Sequence, residues 1–110
     1  MKNVYDEKAV QNHDGTANLV RLIENLRGDQ VIQTMNYAWV DVGKQLKEHK
    51  HDDCVEYYFF LNGNGEMTIG EKKFFVAKGN FVVVEMGQLH TLRNNGKEKL
   101  DFVTLRALVK

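Results

Sequence analysis

A chain of 110 residues has room for one domain, and 43% apolar with 27% charged residues is the balance of a folded globular protein, which excludes disorder as its main state. Fifteen basic residues offset fifteen acidic ones with no pole of either sign along the chain, so the electrostatic footprint of a nucleic-acid binder is missing. The longest apolar run, Tyr57-Tyr58-Phe59-Phe60-Leu61, is far short of a membrane span, the opening MKNVYDEKAV lacks the apolar centre of a signal peptide, and the lone Cys54 forms no internal disulfide. A cytoplasmic protein that touches neither membrane nor nucleic acid is expected.

Residues 1–12 are polar, and residues 1–16 are expected to form an arm lying over the surface or on a partner subunit, ahead of one domain over 17–110. Next, Leu19, Val20, Leu22, Ile23 and Leu26 have helical spacing with Thr16 as a possible cap, yet Val20-Arg21-Leu22-Ile23 also suits a strand, and a strand over 18–24 is preferred. The chain has no proline, so Gly, Asn and Asp must make its turns, at Gly28-Asp29, Asn62-Gly63-Asn64-Gly65, Gly70-Glu71, Gly79-Asn80 and Asn94-Asn95-Gly96. Between them, residues 30–42, 55–61, 66–69, 72–77, 81–86, 89–93 and 99–108 read as strands rich in β-branched and aromatic residues. Gly70, first in a two-residue loop, suits a type II′ hairpin turn. Many short strands at close spacing predict an all-β sandwich or barrel. No repeat, low-complexity segment or linker interrupts it.

Three of the four histidines stand beside the strands, while His13 lies in the polar arm and is left aside. In an extended segment His49 and His51 point to one side, so both imidazoles can reach one ion, and Glu56 can return a carboxylate to the same spot. With His90 they make three imidazoles and one carboxylate, a donor set for a divalent transition metal that leaves two positions of a six-coordinate ion open.

These residues also fall into a known pattern. GKQLKEHKHDDCVEYYFFLNG resembles the first cupin motif, with Gly43, His49, His51, Glu56 and Gly63 in place, and GNFVVVEMGQLHTLRN resembles the second, with Gly79, Gly87, His90 and Asn94. The fifteen residues between Gly63 and Gly79 look like the short spacer of small single-domain cupins, and the two motifs cover about half the chain. Glu85 stands where the family has proline, and Val42 where proline often precedes Gly43. Neither position supplies a ligand, so these departures bear on turn geometry, and Glu85 is expected to be solvated.

The resemblance implies a jelly-roll β-barrel of two packed antiparallel sheets, with His49, His51, Glu56 and His90 as ligands of one divalent ion per chain, whether Fe, Mn, Ni, Zn, Co or Cu. It also implies a homodimer, since small cupins pair barrels back to back. Parity supplies the pocket walls. Tyr58 and Phe60 share the side of Glu56, and Phe102, Thr104 and Arg106 share one face of the last strand, where Thr104 matches the family's inward position. In segment 30–42 the smaller set with Asn36 is expected inside, which leaves Met35, Tyr37 and Trp39 as an apolar outer stripe that a partner would cover. Cys54 reads as a packed residue, and Lys47-Glu48 and Lys72-Lys73 as solvated faces. Tyr58 is the one expected proton donor near the ion. The expected function is metal-dependent chemistry on a small oxygen-rich chelating molecule, an oxygenase first, then an isomerase or lyase, then a binding module without turnover.

Overall fold

The computed structural model describes residues 1–12, 17–25 and 31–109. Among the described residues nine strands follow one another: β1 (Val10–Asn12), β2 (Ala17–Glu24), β3 (Ile32–Val40), β4 (Cys54–Asn62), β5 (Asn64–Ile69), β6 (Lys72–Ala77), β7 (Phe81–Val84), β8 (His90–Arg93) and β9 (Leu100–Leu108). They form a six-stranded antiparallel sheet in the order β1-β2-β3-β9-β4-β7 and a three-stranded one in the order β6-β5-β8. The described residues include no helix long and apolar enough to cross a membrane.

The ambiguous segment at the start is a strand. Antiparallel pairing with β3 puts Leu19 opposite Ala38 and Val20 opposite Tyr37, and both residues are buried, one on each face of the sheet. His13, Thr16, Leu26 and the turn at Gly28-Asp29 lie outside the described residues. Val10–Asn12, expected as part of the polar arm, is a short strand pairing with β2, because Val10 falls opposite Leu19. From β3 onward the strands match expectation in number and order and differ at their ends. The segment expected over 81–86 pairs only to Val84, because the chain turns there: Gln88 N donates to Glu85 O at 3.2 Å and Glu85 N to Gln88 Oε1 at 2.8 Å. Those bonds make the turn that proline would otherwise favour, and Glu85 is exposed.

The core lies between the sheets. Val40, Phe60, Leu100 and Phe102 of the large sheet meet Met67, Val76 and Leu92 of the small one, all at 2% exposure or less. The second motif's asparagine ties strand ends together, since Asn94 Nδ2 donates to Val40 O and Glu98 O at 2.9 and 2.8 Å while Oδ1 accepts from Gly96 N. Gly63 has a steric reason as well: at φ +86° a Cβ there would lie 2.5 Å from Lys99 O and 2.8 Å from Leu100 Cα.

The outer stripe needs a correction. Tyr37 is only 1% exposed, because the chain's own first residues cover it: the Tyr5 ring meets it edge-on at 5.5 Å, Lys2 Nζ donates to Arg21 O, and the Tyr37 hydroxyl donates to Asp101 Oδ2 at 2.7 Å. The open apolar surface lies farther along the same outer face. There Phe59, Phe81 and Val83 are exposed beside Tyr57, Val103 and Leu105.

Candidate metal centre

The segment between β3 and β4 carries two histidines and crosses the end of the barrel in extended form. Six backbone bonds bind it to the second motif, among them Leu46 N to Leu92 O at 2.9 Å, His49 N to His90 O at 3.0 Å, His90 N to His49 O at 2.8 Å, and Gly87 N to His51 O at 2.7 Å. His49 and His90 are thus a cross-strand pair with rings 4.1 Å apart, and period-two alternation brings His51 to the same side, 5.3 Å from His49. From the large sheet, Glu56 points inward between Val84 of β7 and Arg106 of β9. One donor atom from each of His49, His51, Glu56 and His90 lies within 4.8 Å of all the others.

Hydrogen bonds fix which nitrogens face the centre. His49 Nδ1 donates to Lys47 O at 2.8 Å and His90 Nδ1 to Gln88 O at 2.9 Å. A neutral imidazole that donates at Nδ1 keeps its lone pair at Nε2. His90 Nε2 lies 3.2 Å from Glu56 Oε1, and His51 Nε2 lies 3.9 Å from Oε2. The Nε2 lone pairs of His49 and His90 therefore converge on a carboxylate in a buried place, an arrangement that a cation among them, a proton or a metal ion, stabilises. The donor set fits a divalent transition metal on these grounds.

The protonation states agree. Burial holds the His49 pKa below the ordinary imidazole value, which keeps the ring neutral. Burial pushes the Glu56 carboxyl the other way, but a proton on His90 Nε2, standing where a metal ion would, outweighs it together with the Tyr58 hydrogen bond and the charge of the neighbouring imidazoles, and the group is held below the usual glutamate range. The Tyr58 phenol is raised well above its ordinary value by burial first and by Glu56 second, so it stays protonated and donates. Cys54 is buried, and desolvation pushes its thiol up to about 11, in keeping with a packed residue without chemistry.

Beside the four ligands lies a cavity of about 60 Å³, room for a handful of water-sized groups. Asn36, Tyr58, Phe102 and Thr104 line it, whereas Phe60 is fully buried in the core beyond them, 6.1 Å from the Tyr58 ring and 5.5 Å from that of Phe102. The wall also contains two arginines, Arg21 and Arg106. Parity along the last strand already put Arg106 on the face of Thr104 without giving it a role. Arg21 comes into the site through the register of β2 on β3, where it pairs with Asn36.

Known proteins resemble this arrangement. The family model described as a cupin domain matches residues 37–106. An uncharacterised protein of Methanocaldococcus jannaschii is 36% identical over 73 residues, 66% of this chain and 58% of that protein. An oxalate-binding protein of Thermotoga maritima is 27% identical over 67 residues, 61% of this chain and 55% of that one. The matches thus span little more than half the length of these relatives. A crystal structure from Thermotoga maritima described as a predicted oxalate decarboxylase superposes with a TM-score of 0.86 over 97% of both chains at 19% identity, which establishes a shared fold.

Proposed function

The chain belongs to the cupin domain family, and on that premise we propose that it holds one divalent transition ion on His49, His51, Glu56 and His90 and acts on a small oxygen-rich molecule that chelates the ion, in a dioxygenase-like reaction. The observation that carries this reading is the convergence of imidazole lone pairs on the Glu56 carboxylate, with the far nitrogens of His49 and His90 committed to backbone carbonyls. When bound, the ion supplies Lewis acidity and open positions for oxygen ligands.

The chain's own residues do the rest. Glu56 contributes the one negative charge, and the Tyr58 hydroxyl steadies it by donating a hydrogen bond. Phe102, Leu46 and Leu19 give the cavity apolar walls that limit water, and Asn36 and Thr104 give it polar groups for orientation. Tyr58 donates a hydrogen bond rather than a proton, since a phenol raised this far neither gives up its proton near neutrality nor serves as a base. Apart from the ligands, the ionisable groups of the wall are Tyr58 and two arginines, none of which exchanges protons readily near neutrality. This favours reactions carried by the ion over hydrolysis.

The same observation favours one second reading, ligand binding without turnover, and a relative from Thermotoga maritima bears the name of an oxalate-binding protein. Oxygen uptake and product mass distinguish the readings when iron- and manganese-loaded protein is offered enediols, diketones, flavonols, phenolic acids and sugar acids. Uptake that disappears in Glu56→Ala supports the oxygenase. Product isomerised without uptake supports an isomerase or lyase, and tight binding with no product supports the binding module. We also propose a homodimer, paired through the open outer patch around Phe59, Phe81 and Val103, because an isologous contact there would cover both patches at once.

A further inference from the structure

The polar wall of the cavity is built in register across the large sheet. Arg21 of β2 stands opposite Asn36 of β3, Asn36 opposite Thr104 of β9, and Thr104 opposite Tyr58 of β4. In the row beside it, Thr34 stands opposite Arg106, and Arg106 opposite Glu56. Two guanidiniums thus face a cavity that contains one carboxylate, so its charge is net positive before any metal is added.

Neither arginine is used up by the protein. Arg21 Nε is buried and meets no hydrogen-bond partner among the described residues, and its head group has only a 4.0 Å approach to exposed Glu24. Arg106 is held at Nε, which donates to Thr34 Oγ1 at 3.0 Å, so the orientation of its fork is set while its terminal nitrogens are not all spent. Its other contact, Nη1 to His51 Nδ1 at 3.5 Å, is at the limit of a hydrogen bond and requires His51 to accept at Nδ1. A metal on His51 Nε2 puts the proton on Nδ1 and removes that acceptor, releasing the guanidinium nitrogen toward the cavity. Asn36 Nδ2 donates to Thr104 Oγ1 at 3.4 Å, and its Oδ1 is buried without a partner among the described residues, an acceptor that suits a ligand hydroxyl and leaves a carboxylate to the arginines. Buried polar groups left unpaired on a cavity wall call for polar atoms from a ligand.

We propose that this site is specific for acids: the ligand chelates the ion with two oxygens and carries a further carboxylate that Arg106 and Arg21 grip. The inference rests on the metal-centre reading above and narrows it from oxygen-rich chelators in general to those with an additional anionic arm. Arg106 and Arg21 are its specificity-determining residues.

The test compares malate with lactate, which offer the ion the same hydroxyl and carboxylate, only malate having the further carboxylate. Calorimetric titration of the manganese-loaded protein should show malate bound about tenfold or more tightly than lactate, as a charge-assisted hydrogen-bonded pair allows. In Arg106→Gln that preference should fall about tenfold, in Arg21→Gln it should fall by less, and Arg106→Lys should retain part of it. Metal content and a circular dichroism melt accompany each variant, and the Arg21→Gln result stands as a second test should Arg106→Gln fold poorly. Equal binding of malate and lactate, or a preference that survives both glutamine variants, with metal retained, overturns the inference and leaves the metal centre standing. Wild-type protein that holds none of manganese, nickel or zinc overturns the metal centre and this inference with it.

Discussion

Replacing Glu56 by glutamine separates a metal ligand from a structural ion-pair partner, because the two roles give opposite results. In the metal-free protein the carboxylate faces the His90 Nε2 at 3.2 Å. An amide of the same shape can donate to that nitrogen's lone pair and can still accept from Tyr58, so Glu56→Gln should change metal-free stability by less than about 1 kcal/mol. A buried ion pair broken on one side would instead cost about 3–5 kcal/mol. With metal the order reverses. At a free ion concentration near a hundred times Kd, binding stabilises the folded chain by about 2.7 kcal/mol, and for a domain of this size each kcal/mol moves Tm by about 4 °C. Wild-type protein should therefore gain about 10 °C on addition of manganese, nickel or zinc and lose it to a chelator, and Glu56→Gln should gain almost nothing. Thermal scans with and without metal, paired with elemental analysis, measure both arms. A variant that melts far below wild type without metal, yet keeps the full metal-induced rise, would refute the reasoning.

Gly63→Ala should destabilise the fold by about 3 kcal/mol or more, since a left-handed φ costs about 1–2 kcal/mol for any other residue and the new Cβ meets backbone atoms that cannot yield. Gly70→Ala, at φ +58° with nothing within 4 Å, should cost only about 1 kcal/mol, and denaturant unfolding of the two variants tests the difference. Metal-free protein should lose stability on acidification. His49 and Glu56 both have lowered pKa values in the fold, so in each window the unfolded chain binds the proton first: the loss begins as pH falls below 6.5 through His49 and continues below 4.5 through Glu56. Thermal melts from pH 8 to pH 3 follow it, and His49→Asn should remove the upper part, whereas stability that rises between pH 6.5 and pH 5 would contradict the assignment. Sedimentation should show a dimer at micromolar concentration that dissociates in Phe81→Lys, because Phe81 is 59% exposed on the open patch. A monomeric wild type would refute the proposed pairing.

What was legible in the sequence follows from how far each relation reaches along the chain. His49 and His51 are two residues apart and Glu56 follows on the next strand, so alternation alone brought them together, and the glycines of both motifs marked the turns that aim them. His90 could be joined to them only through the family pattern. The structure supplies its physical link, the backbone bridge from His49 to His90. Thr104, Phe102 and Arg106 share a face by parity within one strand, which is why all three fell on the cavity side. Arg21 could not be found this way, because its place depends on the β2–β3 register, which contains a shift between Arg21 and Ile23 that no count along the sequence reveals.

The covered tyrosine shows the same principle from the outer face. Alternation correctly separated Tyr37 from Asn36, but whether an outward aromatic ring is wet depends on what lies over it, and residues 1–9 have no periodic pattern to announce their course. Tyr5 of the N-terminal segment and the buried carboxylate of Asp101 on β9, far apart in sequence, close over Tyr37 together. The consequence reaches the question of assembly. A surface already roofed by its own chain gains little from a partner, so the driving force for the proposed pairing lies on the β9-β4-β7 side, where Tyr57 and Phe81 stack at 5.8 Å beside Phe59. That side is the back of the strand that carries Glu56, with Tyr57 adjacent to it in sequence and pointing the opposite way. Burying the patch would therefore stiffen the strand on which the candidate ligand stands, so the proposed dimer contact and the candidate metal centre would share a structural element even though they lie on opposite faces of the sheet.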